Sequence, residues 1–306
     1  MYAAFEVNPN SLTPREGYIP VEHAELYYRE IGQGQPIIIL HGGPDFDHGY
    51  LLPDLDRLSN IFRLIYYDQG GRGKSAKNVR PEDVSIESDV QDLDRVREYF
   101  ELESVAVLGH SWGGVLAMEY AIRYPKHVSH LLLMNTAPAS HDDFILLQQH
   151  RSKRPAADLA ALKACSSSVE YQDGDPDTVA EYYRAHFRAT LHHPEQLETL
   201  IKQLRSSFTR KGILKAREIE NRLLNETWLS TEYDLLPKLH QLVIPTLIIH
   251  GQYDHIPMEC AAHIAQAIPG ARFALLKECG HFSYLECPGE VRKEIMDFFY
   301  GTNDHE

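Results

Sequence analysis

The chain has 306 residues and a formal net charge of −14 at pH 7, from 44 acidic and 30 basic side chains. An acidic surface repels both nucleic acid and anionic membranes, so neither is expected as a partner. Hydrophobic residues make up 43% of the chain, as in ordinary globular proteins. No apolar run approaches the roughly 20 residues that a membrane span needs. These features predict a globular protein; they say little about a small neutral ligand, so a small-molecule substrate stays open as a partner, as does a homo-oligomer.

The cysteines and the first residues predict a cytoplasmic protein with reduced thiols. Four cysteines in 306 residues are too few for a disulfide framework, although a disulfide between two of the last three stays open. The first ten residues have neither a basic start nor an apolar stretch, so no secretory signal is expected. No Cys and His residues have the spacing of a zinc site, and neither a metal nor a cofactor is expected. The cysteines are Cys165, Cys260, Cys279 and Cys287.

Short apolar runs recur along the chain, and most of them end at Gly, Asp or His. A polar-edged antiparallel pair is predicted over 17–21 and 24–31. Continuous apolar runs follow at 37–40, 62–67, 104–108, 130–134, 246–249 and 272–276. Strands that are apolar throughout are buried on both faces, as in a parallel sheet covered by helices.

Amphipathic patterns between these runs predict the covering helices. In 83–100, Ile86, Val90 and Leu93 recur at three- and four-residue steps and share one helical face. Further helices are predicted over 112–124, 257–268 and 288–299. The alternation of strands and helices predicts an α/β fold with a mostly parallel sheet.

Residues 137–235 interrupt this alternation. They contain no convincing strand. Helical patterns are found there at 142–154, 156–165, 176–190, 194–206 and 212–225. A helical block inserted between two sheet strands is expected to lie over the strand ends, where open α/β sheets bind ligands. We therefore predict a core formed by 1–136 and 236–306, with a helical cap over 137–235.

The strongest motif runs from Gly109 to Gly114 and contains Gly-x-Ser-x-Gly around Ser111. It follows a predicted strand and precedes a predicted helix, which is the context that a nucleophilic serine requires. The serine hydroxyl would stand at a helix N-terminus, where backbone N–H groups favour negative charge. The motif predicts Ser111 as a catalytic nucleophile.

A serine nucleophile needs a base and a group that orients the base. His281 follows the last predicted strand, and Asp254 follows the strand at 246–249. Both loops open at the same sheet edge as Ser111. The chain order Ser111, Asp254, His281 is that of a hydrolase triad, with helix capping as the alternative role for Asp254.

The oxyanion of an acyl-transfer reaction needs two backbone donors. Trp112, directly after the serine, is expected to supply one N–H. Gly43, in the loop after the run at 37–40, is expected to supply the second, and Gly42 is the alternative.

Taken together, these motifs resemble the α/β-hydrolase superfamily, nearest the proline iminopeptidase branch. The resemblance covers about 1–136 and 236–306. It implies a sheet flanked by helices with an inserted helical cap, and a Ser-His-Asp hydrolase. The matching segments are His41-Gly42-Gly43-Pro44, Asp68-Gln69-Gly70-Gly71-Arg72-Gly73-Lys74-Ser75, Gly109-His110-Ser111-Trp112-Gly113-Gly114, and Gly280-His281 followed by Glu286-Cys287-Pro288.

Two positions depart from the branch. Asp45 stands where the iminopeptidase loop usually has glycine, and His110 precedes the serine, as in many esterases. Iminopeptidases hold the free amine of the substrate with acidic cap residues, which makes Glu218, Glu220 and Glu226 candidates here; solvated helix faces are the alternative. The candidate substrate-binding residues are Gly42, Asp45, His110, Glu218 and Glu226.

The sequence therefore predicts a serine hydrolase that cleaves a carboxylic ester or a lactone. A proline iminopeptidase, which releases N-terminal proline from peptides, is the first alternative. A non-catalytic ligand receptor on a hydrolase scaffold is the second, because a fold does not determine a function.

Overall fold

The computed structural model describes residues 13–22 and 24–301, and its strands form one eight-stranded sheet. The strand order is β1-β2-β4-β3-β5-β6-β7-β8, and the ladders from β4 through β8 are all parallel. This confirms the predicted mostly parallel sheet. The strands are β1 (Arg15–Pro20), β2 (Glu25–Ile31), β3 (Gln35–Leu40), β4 (Phe62–Tyr67), β5 (Val105–His110), β6 (Val128–Met134), β7 (Thr246–Gly251) and β8 (Arg272–Leu276).

The strand that leads to the serine is longer than predicted. β5 begins at Val105 and continues through Gly109 to His110, still paired with β6, whereas the sequence predicted an end at 108. Gly109 is needed for packing and does not break the strand. A Cβ there would lie 2.2 Å from the Gly113 carbonyl oxygen. The longer strand brings Ser111 directly to the sheet edge.

Helices cover both faces of the sheet and form the inserted segment. In the described residues they are α1 (Ile86–Tyr99), α2 (Trp112–Arg123), α3 (His141–Arg151), α4 (Ala156–Ser166), α5 (Val169–Gln172), α6 (Pro176–Phe187), α7 (Leu197–Arg205), α8 (Arg210–Glu226), α9 (Leu236–Leu239), α10 (Met258–Ala267), α11 (Ser283–Glu286) and α12 (Pro288–Tyr300). The short helices α5, α9 and α11 are not visible in the apolar pattern, because four residues are too few to show a helical period.

Capping residues explain where two helices begin. α1 starts at Ile86 and not at 83, because Ser85 and Ser88 form a reciprocal capping box. α3 starts at His141, one residue before the predicted start, because the Ser140 hydroxyl accepts the N–H of Asp143.

Alternate residues of the central strands pack into two hydrophobic cores, one on each face of the sheet. Ile38 and Leu40 face the side covered by α1 and α2, whereas Ile37 and Ile39 face the opposite side. Burial on both faces explains why these strands read as continuous apolar runs.

The segment predicted as a cap contains helices α3 to α8 and lies between β6 and β7. An isolated bridge pairs Ser140 with Asp234, so the two ends of the segment meet at its base. The predicted core also includes residues 1–12, 23 and 302–306, which lie outside the described residues, as does the segment read for a secretory signal. The four cysteines form no disulfide. Among the described helices, none has the length and apolarity to cross a membrane.

Candidate active site

Ser111 stands at a sharp turn between β5 and α2. Its backbone has φ 56° and ψ −119°, a conformation that non-glycine residues rarely adopt and that clusters at active sites. Neighbouring glycines make room for this turn. A Cβ on Gly113 would lie 2.3 Å from the Leu40 carbonyl oxygen, and a Cβ on Gly42 would lie 2.8 Å from the Ser111 Cβ. The turn therefore presents the serine hydroxyl at the strand ends.

The structure brings Ser111, His281 and Asp254 together. The His281 Nε2 lies 3.2 Å from the Ser111 Oγ, and the His281 Nδ1 lies 2.9 Å from Asp254 Oδ1. A carboxylate only accepts hydrogen bonds, so Nδ1 carries the proton and donates it to Asp254. The Nε2 lone pair is then free to accept the serine proton, which is the geometry that a general base needs.

The Asp254 carboxylate is buried and surrounded by donors. Burial alone would raise its pKa, but nearby His281 and the hydrogen bonds of His255 and His281 hold the pKa of this carboxyl well below its usual range. The Ile256 N–H also donates to Asp254 Oδ1 at 2.9 Å. The carboxylate is therefore ionised across the physiological pH range. Helix capping, the alternative role for Asp254, is not found, because the N-cap of α10 is Pro257; the bond from Ile256 forms a local turn instead.

Asn135 is a member of this network that the sequence analysis did not identify. It follows β6 with φ 48°, and its side-chain amide donates to Asp254 Oδ2 at 2.9 Å and to the Gly280 carbonyl at 3.1 Å. Ser283 in turn donates its hydroxyl to Asn135 Oδ1 at 2.6 Å. The only signal in the sequence is a polar residue directly after a buried strand, on the edge that also carries Ser111.

Two backbone N–H groups beside the serine are free to bind an oxyanion. Trp112 and Gly43 both border the cavity that contains Ser111, and neither N–H has an acceptor within the described part of the chain. Gly42, the alternative donor, is already engaged, because its N–H donates to the Tyr50 hydroxyl at 2.7 Å. The structure therefore leaves Gly43 and not Gly42 available.

His110 borders the cavity above Ser111, and the protein already uses both of its ring nitrogens. The Tyr50 hydroxyl donates to His110 Nδ1 at 2.6 Å, and His110 Nε2 donates to the His281 carbonyl at 3.1 Å. Burial, with a smaller contribution from nearby His281, lowers the pKa of His110 to about 3, so the ring is neutral. His110 and Gly42 thus belong to one chain of hydrogen bonds that joins the loop after β3 to the loop of His281.

A cavity of about 270 Å³ opens above Ser111. Ser111, Trp112, Gly43 and His281 border it on the side of the sheet, and α3, α6 and α8 border it on the side of the inserted segment. The volume is at the small end of the range for small-molecule sites. Aromatic side chains dominate the second side: Phe144, Tyr171, Tyr182, Tyr183, Phe187 and Trp228.

Charged groups also reach this cavity. Asp45 and Glu220 border it together, and the Tyr183 hydroxyl donates to the Asp45 carboxylate. Burial, followed by the repulsion of nearby Asp45, raises the pKa of Glu220 to about 8. Burial likewise raises the pKa of Asp45. Arg151, which the sequence analysis did not single out, contributes a positive charge to the same wall.

Two of the predicted cap glutamates lie elsewhere. Glu218 is exposed on α8 and does not border the cavity. Glu226 is exposed at the end of the same helix, and its carboxylate accepts the Ile86 N–H at the start of α1. With a helical period near 3.6 residues, Glu220 points to the cavity while Glu218 and Glu226 point away from it.

Within the part of the chain that the structure describes, two groups of side chains have ligand atoms close enough to hold a metal ion. They are Asp254 with His255 and His281, and Asp47 with His48 and Asp68. Each group is already connected by its own contacts: His48 Nδ1 lies 2.6 Å from Asp68 Oδ1, and His281 Nδ1 contacts Asp254 as described above.

The second group borders a larger groove of about 830 Å³. This groove shares Asp45 and Tyr183 with the cavity above Ser111 and does not include Ser111.

Comparisons with known proteins agree with this architecture. Residues 35–288 match the family model described as alpha/beta hydrolase fold. A proline iminopeptidase of Saccharolobus solfataricus is 27% identical over 305 residues, which cover 96% of each chain. A proline iminopeptidase of Lactobacillus crispatus is 31% identical over 283 residues, which cover 89% of this chain and 93% of the relative.

A solved structure of similar fold is the esterase RhEst1 from Rhodococcus sp. ECU1013. It superimposes with a TM-score of 0.71 at 20% identity and covers 93% of this chain and 98% of its own. At this identity the likeness concerns the fold alone.

Proposed function

Because the chain belongs to the α/β-hydrolase fold family and lies near its proline iminopeptidase branch, we propose that it is a serine hydrolase of carboxylic esters or lactones. The observation that carries the proposal is the contact of His281 with both Ser111 and Asp254. The free N–H groups of Trp112 and Gly43 beside the serine support it. A ligand receptor would need neither feature.

The reaction begins with a proton transfer. His281 Nε2 takes the proton of Ser111 as the Oγ attacks the carbonyl carbon, and Asp254 stabilises the imidazolium that forms. The N–H groups of Trp112 and Gly43 bind the tetrahedral oxyanion. His281 then protonates the leaving alcohol, which departs and leaves an acyl group on Ser111. Water attacks this acyl-enzyme by the same route and releases the acid.

The second candidate is a proline iminopeptidase. Its support is the presence of two carboxyl groups, Asp45 and Glu220, in the cavity of Ser111, together with the relatives that carry that name. The ammonium group of an N-terminal residue bound beside these carboxyl groups would favour their ionised forms and pair with them. Arg151 opposes this function, because its guanidinium borders the same small cavity and repels an ammonium group. The ester or lactone function therefore ranks first.

One comparison of substrates tests this order. A series of p-nitrophenyl esters of increasing acyl length and proline p-nitroanilide are supplied to the same enzyme. We expect sustained ester turnover, with a kcat/KM well above that of the proline anilide. A strong preference for the proline anilide would reverse the order of the two functions, and no turnover of either would favour the receptor.

A further inference from the structure

An arginine without a carboxylate partner lies in the wall of the cavity above Ser111. Arg151 is the last residue of α3 and borders this cavity. Its Nη2 lies 3.2 Å from His255 Nε2, while its Nε is shielded from solvent and has no hydrogen-bond partner. Its guanidinium forms no ion pair with the carboxylates of residues 13–22 and 24–301. The cavity thus contains an unpaired positive charge.

Two other buried arginines of the described residues are paired with carboxylates, whereas Arg154 and Arg217 each have a buried Nη2 without a hydrogen-bond partner. The Arg72 guanidinium, which is fully buried, contacts the Asp89 carboxylate at 2.5 Å. Arg29 donates two hydrogen bonds to Asp56, at 2.9 and 2.6 Å. Burial of an unpaired charge costs free energy, and buried charges in proteins are normally paired. Arg151 differs from Arg72 and Arg29 in having no carboxylate partner, and it borders the cavity above Ser111.

Ordinary helix capping does not explain Arg151. Basic residues in the last turn of a helix often bond to the free carbonyls of their own helix. The Arg151 guanidinium reaches a different element, because its contact is with His255 in the loop after β7. His255 is adjacent to Asp254, so the guanidinium extends from the inserted segment to a residue beside the triad.

The nearby carboxyl groups do not neutralise this charge. Asp45 accepts a hydrogen bond from Tyr183 and forms no ion pair with Arg151. Glu220 is uncharged near neutral pH, because burial and the neighbouring Asp45 raise its pKa to about 8. Asp254 is already bonded to His281 and Asn135. Within residues 13–22 and 24–301, no carboxylate is therefore left to balance the charge of Arg151.

We propose that Arg151 binds a carboxylate of the substrate, so that the preferred substrates are esters or lactones that carry a carboxylate, such as half-esters of dicarboxylic acids. The inference rests on the hydrolase function proposed above. A guanidinium can hold a carboxylate by two parallel hydrogen bonds, which fixes its position as well as its charge. Ser111 and Arg151 border the same cavity of about 270 Å³, so a short molecule reaches both.

The test separates binding from turnover. Calorimetry measures the binding of monoethyl glutarate and of ethyl pentanoate, its neutral analogue of similar length, to the Ser111→Ala variant. Arg151→Met and Arg151→Lys are each combined with Ser111→Ala. Arg95→Met, at an exposed arginine of α1 that pairs with Glu98, is the matched control. Ethanol release by the corresponding proteins with Ser111 intact measures turnover.

We expect monoethyl glutarate to bind roughly 10- to 100-fold more tightly than ethyl pentanoate, because the anionic ester gains charged hydrogen bonds. Arg151→Met should remove this preference, Arg151→Lys should restore part of it, and Arg95→Met should leave it unchanged. In turnover, the loss in Arg151→Met should fall on the KM of the anionic ester and leave the neutral ester within about threefold.

Equal binding of the two esters, or a preference that survives in Arg151→Met, would overturn the inference. A decrease in kcat/KM that is equal for both esters in Arg151→Met would also overturn it, because an equal decrease indicates a general structural role. If the arginine-dependent binding is found without any ethanol release, the anion site stands and the proposed hydrolase function fails. If neutral esters are turned over and the anionic ester is not preferred, the proposed hydrolase function stands and the anion site fails.

Discussion

The side-chain amide of Asn135 donates to the Asp254 carboxylate at 2.9 Å and to the Gly280 carbonyl at 3.1 Å. One side chain thus connects the end of β6 to the loop of Asp254 and to the residue that precedes His281. Ser283 fixes the orientation of the amide by donating to its oxygen. Asn135 therefore fixes the position of the Asp254 loop relative to the His281 loop, although it does not contact Ser111.

Replacement of Asn135 should reduce turnover without removing it. Asn135→Gly tolerates the positive φ and removes only the amide, so we expect a kcat about 10- to 100-fold lower, from the loss of a hydrogen bond to a charged group. The aspartate in Asn135→Asp has nearly the same shape as asparagine but places a second carboxylate beside Asp254. The kcat of this variant should therefore be lower than that of Asn135→Gly. Steady-state kinetics on a p-nitrophenyl ester measures both. A kcat of Asn135→Asp equal to that of the wild type would refute the role given to the amide.

Gly43 should tolerate no side chain. It has φ 49°, and a Cβ there would lie 2.4 Å from the Phe46 ring, so Gly43→Ala must shift that ring or the loop that carries the proposed second oxyanion donor. Loss of one such donor typically lowers kcat about 10²- to 10³-fold. Gly270→Ala is the control, because Gly270 has φ 75° with no atom within 4 Å of its Cβ position. If both variants lose activity equally, backbone strain alone accounts for the effect.

Tyr50→Phe should affect stability as well as turnover. The variant leaves the Gly42 N–H and His110 Nδ1 without their present partner inside the protein. Unsatisfied buried polar groups cost about 1–3 kcal/mol each, so the melting temperature should fall and kcat should fall with it. Tyr99→Phe, at an exposed tyrosine, is the control. An unchanged melting temperature in Tyr50→Phe would show that this hydrogen-bond chain contributes little.

The affinity for an anionic ester should fall at alkaline pH. Below pH about 8 the Glu220 carboxyl is protonated; above it, the carboxylate competes with the substrate for Arg151. The dissociation constant of monoethyl glutarate in Ser111→Ala should therefore rise as the pH passes about 8, and Glu220→Gln should remove most of this rise. If the dissociation constant rises with pH in the same way in Glu220→Gln, a group other than Glu220 causes the rise. The other titratable or charged groups around Glu220 include Asp45, Arg151, Arg154, Tyr171, Tyr182, Tyr183, His186, Arg217 and His255.

The sheet could be predicted from the sequence because its central strands are buried on both faces and therefore read as continuous apolar runs. Ser111, Asp254 and His281 could be nominated because each follows a strand that ends at the same sheet edge. The positions of Glu220 and Arg151 could not be predicted. They depend on how the inserted helices are rotated and packed, and apolar periodicity gives only which face is buried, not which neighbour it meets.

His110 illustrates the same limit on the sheet side. The sequence placed it beside Ser111 and so made it a candidate for contact with substrate. Only the fold brings Tyr50 and the His281 carbonyl to its two nitrogens, because these partners are 60 and 171 positions away in the chain.

Steady-state hydrolysis of p-nitrophenyl butyrate by the wild type and by Ser111→Ala is the most direct test of the proposed chemistry. The account predicts many turnovers per molecule of the wild-type protein. It also predicts a loss of about 10⁴-fold or more in Ser111→Ala, while the circular dichroism spectrum and melting temperature remain close to the wild type. A Ser111→Ala variant that retains near-wild-type turnover would contradict it.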